Sequence, residues 1–144
     1  MTNILRISEA ASLALHAMAL LAGIPQRRVA AKDLAASLQA SEAHLAKVMQ
    51  RLVREGFVSS VRGPSGGFVL KRRAEDITLL EICEAVDGPL VLDGCLLGEP
   101  VCDGKGCLLG GLVTALNRQV REYLGATRLS ELAAGRFVGS SSRT

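Results

Sequence analysis

Stretches carrying one apolar stripe at helical spacing alternate along this chain with short polar breaks. Ile7, Ala11, Ala14, Leu15, Met18 and Leu21 recur every three or four residues, which predicts a helix from Ile7 to Ala22. Pro25 closes it. Ala31, Leu34, Ala35 and Leu38 repeat the pattern over a shorter helix, and Gln39-Ala40 interrupt it. Ser41 then stands where a helix takes an N-cap, its hydroxyl able to satisfy an orphan backbone N–H. Leu45, Val48, Met49, Leu52 and Val53 hold the stripe of the helix that follows, while His44, Lys47, Gln50, Arg51 and Arg54 fall on its other sides. Gly56 ends that helix, because glycine enters the left-handed region at little steric cost. Phe57 to Val61 and Phe68 to Leu70 are β-type runs, joined by a tip rich in glycine and proline between Arg62 and Gly67.

Two helices and a hairpin in this order predict a winged helix-turn-helix, within a fold that is mainly α with a small β-hairpin wing. Beyond the wing, Thr78 and Glu81 form a capping box for a helix reaching Val86, and Gly88-Pro89 stop it. Leu90 to Gly111 has neither period. From Leu109, the residues Val113, Leu116, Val120 and Tyr123 continue a heptad seam and predict a helix over about Gly110 to Leu124. Two heptads are too short to stand alone, so this helix is expected to pack on a symmetry mate and on the winged domain. Thr127 is placed to cap a last short helix, Leu129 to Ala134, before a polar tail. The division that results is a DNA-binding domain over 1–88, a cysteine-rich loop over 89–109, and a dimerisation helix with its tail over 110–144.

Charge sharpens this picture. Residues 1–73 hold 11 Lys+Arg against 4 Asp+Glu, and residues 74–144 hold 6 against 10, although the whole chain is only +3. A basic front and an acidic rear suit a protein that turns one end to phosphates. The recognition helix would offer Ser41, Glu42, His44, Lys47 and Arg51 to a major groove about 12 Å wide. The wing would bring Arg62 and Ser65 to the backbone or the minor groove. A homodimer would set two such heads on an inverted repeat in double-stranded DNA. The basic run Lys71, Arg72 and Arg73 reads equally as a phosphate contact or a solvated edge. Glu9, Ser12 and His16 interrupt the first greasy segment at helical spacing, which argues against a signal peptide, and no segment is long enough to span a membrane. A cytoplasmic protein is expected.

The remaining chemistry is thiol chemistry. Cys83 falls within a helix and reads as a small core residue. Cys95, Cys102 and Cys107 lie in the glycine-rich loop, separated by six and four residues. A loop this long and irregular needs something to order it, and three thiolates closing on an inorganic centre would do so. Disulfides do not suit a cytosolic chain. The C-x₂-C pairs common in zinc sites are absent, and the spacing fits iron–sulphur patterns at least as well, with zinc and unligated thiols as alternatives. A thiol enzyme or cluster carrier lacks both a C-x-x-C pair and an acid–base constellation. Gly104 and Gly106 follow no strand and do not mark a nucleotide site.

The segment from Leu52 to Leu70, which fits LxxxGxVxSxRGxxGGxxL, and the helix start Ile77-Thr78 with Glu81-Ile82 resemble the IscR/NsrR-type winged-helix regulators of the Rrf family over nearly the whole chain. The resemblance implies that Ser41, His44 and Arg62 face DNA, and that the glutamate some members use for base discrimination is replaced by Ala46. It implies an iron–sulphur cluster, [2Fe–2S] or [4Fe–4S], on Cys95, Cys102 and Cys107. Gly110 stands where some members carry a histidine, and Ser12 where others carry a carboxylate from the first helix. His16 matches a histidine position and is the fourth-ligand candidate, with Glu9 or Ser12 behind it. A metal-free or zinc-bound thiol-sensing regulator of the same fold is the alternative.

Overall fold

The computed structural model describes residues 7–90, 95, 97, 101–103, 105–109 and 111–134. The helices are α1 (Glu9–Gly23), α2 (Ala31–Leu38), α3 (Glu42–Arg54), α4 (Leu79–Asp87), α5 (Leu112–Ala126) and α6 (Leu129–Ala134). Strands β1 (Val58–Val61) and β2 (Gly67–Leu70) form the wing, and a 3-10 turn at Ala74–Asp76 leads from it into α4. The expected order of elements is present, with boundaries moved by at most two residues.

Helix α1 is the hub. Its buried residues Ala11, Ala14, Ala17, Met18, Ala19 and Leu21 are mostly alanine. Small side chains let neighbouring helices approach closely, and α1 packs against α2, α3, α4, α6 and β2. Helix α3 contributes Leu45, Val48, Met49 and Leu52 to the same core, and the rear of the chain adds Ile82, Leu124 and Leu129. Residues 111–134 are therefore bound to the winged domain. The amide of Leu79 donates to Thr127 O at 3.1 Å and that of Leu129 donates to Ile77 O at 2.8 Å.

Local chemistry fixes the ends. Gly56 has φ +81; its amide donates to Val53 O and that of Phe57 to Leu52 O, each at 3.0 Å. With Phe57 and Leu52 both buried, this is a Schellman closure with its hydrophobic contact. The capping box of α4 is complete: Thr78 N donates to Glu81 Oε2 at 2.8 Å and Glu81 N to Thr78 Oγ1 at 3.1 Å. The expectation for Thr127 is corrected. Its hydroxyl donates back to Tyr123 O at 2.8 Å and closes α5, while Glu131 Oε2 takes the Arg128 amide at 2.6 Å in front of α6. A glutamate at the third helical position thus takes the amide of the cap residue, which is the glutamate half of a capping box.

The wing pairs antiparallel with Val58 opposite Leu70 and Val61 opposite Gly67. It also has an additional backbone partner. Val29, just ahead of α2, exchanges both hydrogen bonds with Phe68, at 2.8 and 2.9 Å. Gly67 makes room for this: at φ +147, a Cβ there would lie 2.5 Å from Val29 O. The wing is thus tied to the start of the helix-turn-helix as well as to α3.

Candidate functional site

The recognition helix α3 has two unlike faces. Four residues, Leu45, Val48, Met49 and Leu52, are at most 2% exposed. Opposite them Ser41, Glu42 and Lys47 are exposed, and His44 is half-buried. Ser41 caps the helix, its Oγ accepting from His44 N at 3.4 Å. The His44 ring meets the first turn of α1, with Nδ1 3.7 Å from Glu9 Oε1. At the wing tip Arg62, Gly63, Pro64 and Ser65 are exposed. Gly63 has φ +108 and accepts from the Gly66 amide at 2.9 Å, which turns the tip tightly.

Arg51 behaves differently from the other residues expected at DNA. Its Nη1 donates to Val86 O at 2.6 Å, so the guanidinium is engaged at the end of α4. The run after the wing also resolves into separate roles. The Arg72 guanidinium sits 4.9 Å from the centroid of the Phe57 ring and donates to Asp76 O at 3.0 Å and Glu81 Oε1 at 3.4 Å. That makes it a packing residue under the wing. Arg73 pairs with Glu75 at 3.3 Å on the surface, and Lys71 is exposed.

On the rear loop Cys95 is half-buried and Cys102 and Cys107 are exposed, all as free thiols. Lys105 N donates to Asp103 Oδ1 at 3.0 Å, a local turn between Cys102 and Cys107. His16 is exposed on α1, and its Nδ1–H donates to Ser12 O at 2.6 Å. In the neutral ring that bond puts the lone pair on Nε2. Among the described residues no three His, Cys, Asp or Glu side chains converge as metal ligands would. The loop thiols match an iron–sulphur donor set in kind, but the fold of one chain does not gather them, nor join His16 to them. Cys83 is set apart. Burial, aided by the carboxylates of Asp87 and Glu84, pushes its thiol up to about 11, so it stays protonated.

Helix α5 turns Val120 and Leu124 inward, and Leu124 is 7% exposed. Its other face leaves Leu112, Leu116 and Tyr123 at 52%, 39% and 62% exposure. The expected seam therefore divides: Val120 packs against the chain's own core, Val113 is half-buried, and Leu116 and Tyr123 lie open beside Leu112.

Several working residues are absent from the sequence reading. Ser8 caps α1, accepting from Ala11 N at 2.9 Å, and donates to the Asp87 carboxylate at 2.6 and 2.8 Å. A serine directly before an apolar periodic run is a legible cap signal; its bond across 79 positions is not. Neither the Val29 bridge nor the Val86 carbonyl has any local signature.

The comparisons agree with this fold. A family profile described as "Rrf2: Iron-dependent Transcriptional regulator" matches residues 7–135. The chain is 36% identical over 98 residues to the HTH-type transcriptional regulator IscR of Xenorhabdus nematophila, covering 68% of this chain and 60% of that one. It is 30% identical over 128 residues to a protein of Aquifex aeolicus assigned as an HTH-type transcriptional regulator, covering 87% and 89%. Among solved structures it is similar to CymR, the global cysteine regulator of B. subtilis, with TM-score 0.75, 27% identity and coverage of 91% and 98%. The matches to the first curated relatives span 50–60% of those proteins' own length. The chain belongs to the Rrf2 family of winged-helix transcriptional regulators.

Proposed function

We propose that the protein is a homodimeric, cytoplasmic transcriptional regulator whose affinity for an inverted-repeat site in double-stranded DNA is set by the state of its cysteine loop. The observation that carries this reading is the division of α3, whose apolar side is sealed in the core while Ser41, Glu42, His44 and Lys47 line its outer side. Those groups would read base edges, and Arg62 and Ser65 of the wing would hold the backbone. The open stripe of Leu112, Leu116 and Tyr123 supports pairing through α5. Among the described residues no helix is long and apolar enough to cross a membrane.

Membership of a family described as iron-dependent supports Cys95, Cys102 and Cys107 as ligands of an iron–sulphur cluster, with His16 as the candidate fourth. Such a cluster would supply a centre responsive to iron, redox state or nitric oxide. A second reading keeps the fold and uses the thiols directly as sensors. The exposure of Cys102 and Cys107, and the likeness to a cysteine regulator, favour it.

Anaerobic purification followed by visible absorption with iron and sulphide analysis decides between them. Brown protein bleached by Cys102→Ala supports the cluster; colourless protein without iron supports the thiol sensor. The DNA reading is tested separately by titrating duplexes at several salt concentrations. Affinity should fall steeply with salt, and Arg62→Ala should cost about 1–3 kcal/mol. Binding indifferent to salt would exclude a phosphate-facing surface.

A further inference from the structure

At the root of the cysteine loop three elements meet through side-chain hydrogen bonds. Helix α4 ends at Asp87, and Gly88 follows it with φ +82, ahead of the cysteines in the sequence. The last carbonyls of a helix have no partner within it. Here the Val86 carbonyl is taken by Arg51 of α3, at 2.6 Å. A cation at a helix C-terminus is favoured by the aligned peptide dipoles, and a charged donor makes a stronger bond than a neutral one.

The neighbouring residue is held from another side. Asp87 accepts the Ser8 hydroxyl at 2.6 and 2.8 Å, and Ser8 in turn caps α1. The residue after Ser8 is Glu9, which lies 3.7 Å from His44 on the recognition helix. The last turn of α4, the first turn of α1 and both ends of the outer part of α3 are therefore linked through Arg51–Val86, Ser8–Asp87 and Glu9–His44. One side of this node is the start of the thiol-bearing loop; the other is the surface proposed to read DNA.

We infer that Arg51 is a positioning residue, which couples the recognition helix to the cysteine loop through the Val86 carbonyl. The inference rests on the reading of that loop as regulatory. A shift of the last turn of α4 beyond hydrogen-bond range therefore either carries the Arg51 end of α3 with it or breaks the bond. Either result alters how His44 and Lys47, within two turns of Arg51, sit against base edges. The arginine therefore acts on DNA through α3, and its guanidinium is not itself a phosphate contact.

The test uses the full reduced chain, iodoacetamide as the probe of the loop, and a duplex that the protein selects from a random-sequence pool. Cys83 is buried and held protonated, so the reagent reports on Cys95, Cys102 and Cys107. Alkylation should change the Kd of the wild type by about fivefold or more, the usual lower range of coupling between sites. Arg51→Met keeps the aliphatic stem and removes the donors. It should bind the duplex before alkylation within about threefold of wild type and respond to alkylation by less than about twofold. Arg51→Lys retains a donor and should restore part of the response; Ser8→Ala, which frees Asp87, should weaken it.

A fully responsive Arg51→Met overturns the inference alone. So does an Arg51→Met that loses DNA binding before alkylation together with about one unit of salt slope, since Arg51 would then be a phosphate contact. A wild type indifferent to alkylation removes the regulatory reading of the loop and this inference with it.

Discussion

Helices α3 and α5 are both amphipathic, yet they complete their apolar faces in opposite ways. Helix α3 buries Leu45, Val48, Met49 and Leu52 within its own chain, whereas α5 buries Leu124 and leaves Leu112, Leu116 and Tyr123 largely in water. The surplus of α3 is polar and points outward; that of α5 is apolar. A polar surplus on a rigidly seated helix suits contact with a hydrated partner such as DNA. An apolar surplus is satisfied by another apolar surface, and a second copy of α5 supplies one by symmetry. One helix is thus complete within the chain, and the other leaves an apolar stripe for the proposed dimer to cover.

The largest effect that sharpens this contrast is loss of the seat of α3. Leu52 is fully buried and also closes the Schellman motif with Phe57. Leu52→Ala should cost about 2–5 kcal/mol of unfolding free energy. Urea denaturation measures it, and a loss comparable to that of a surface substitution would show that α3 is not seated as described. Next in size is the wing. Gly67→Ala puts a Cβ against the Val29 carbonyl at a positive φ, and should cost roughly 1–3 kcal/mol and weaken DNA binding. A smaller effect belongs to α5. Leu116→Glu should leave the chain folded but raise the dimer dissociation constant by about tenfold, or 1.4 kcal/mol, in sedimentation equilibrium. If it unfolds the chain instead, the open stripe is part of the monomer core and the contrast fails.

How much of this was legible follows the range of the interaction. Caps and stripes are local, so Ser41, Gly56 and the Thr78–Glu81 box declare themselves in sequence, and α3 follows from them. Periodicity alone could not tell which part of the α5 stripe meets the chain's own core, because a heptad gives spacing and not the partner. The result is a seam that mixes Val113 and Val120 with Leu116 and Tyr123. The outer polar group of α3 was legible as a set of polar residues around one helix start. Arg51 was not separable from them, since a basic residue on a basic face looks the same whether it meets a phosphate or a carbonyl 35 positions away. The cysteines were legible as chemistry and spacing, but their assembly depends on contacts beyond neighbouring residues. The same reasoning explains Arg72, which the run of charge hides and the Phe57 ring reveals.

The smallest effect tests how firmly the wing and α4 are joined. Partial burial alone would raise the Glu81 carboxyl, but hydrogen bonds from the Thr78 amide and hydroxyl and the nearby Arg72 guanidinium hold it below its ordinary value of 4.5. The folded protein therefore binds this proton less tightly than the unfolded chain does. The stabilisation is full above the ordinary value and fades as pH falls through the folded one. Because the side chain is 42% exposed, solvent screening limits its worth to about 0.5–1 kcal/mol. Glu81→Gln retains an acceptor for the capping box but lacks the charge that meets Arg72. It should be slightly less stable than wild type near neutrality, and the gap in urea midpoint should close between about pH 6 and pH 3. A gap that widened on acidification would mean that the carboxylate is destabilised by the fold. In that case Arg72 would be held under the wing by Phe57 and the Asp76 carbonyl alone, and the wing and α4 would be joined less firmly than these contacts describe.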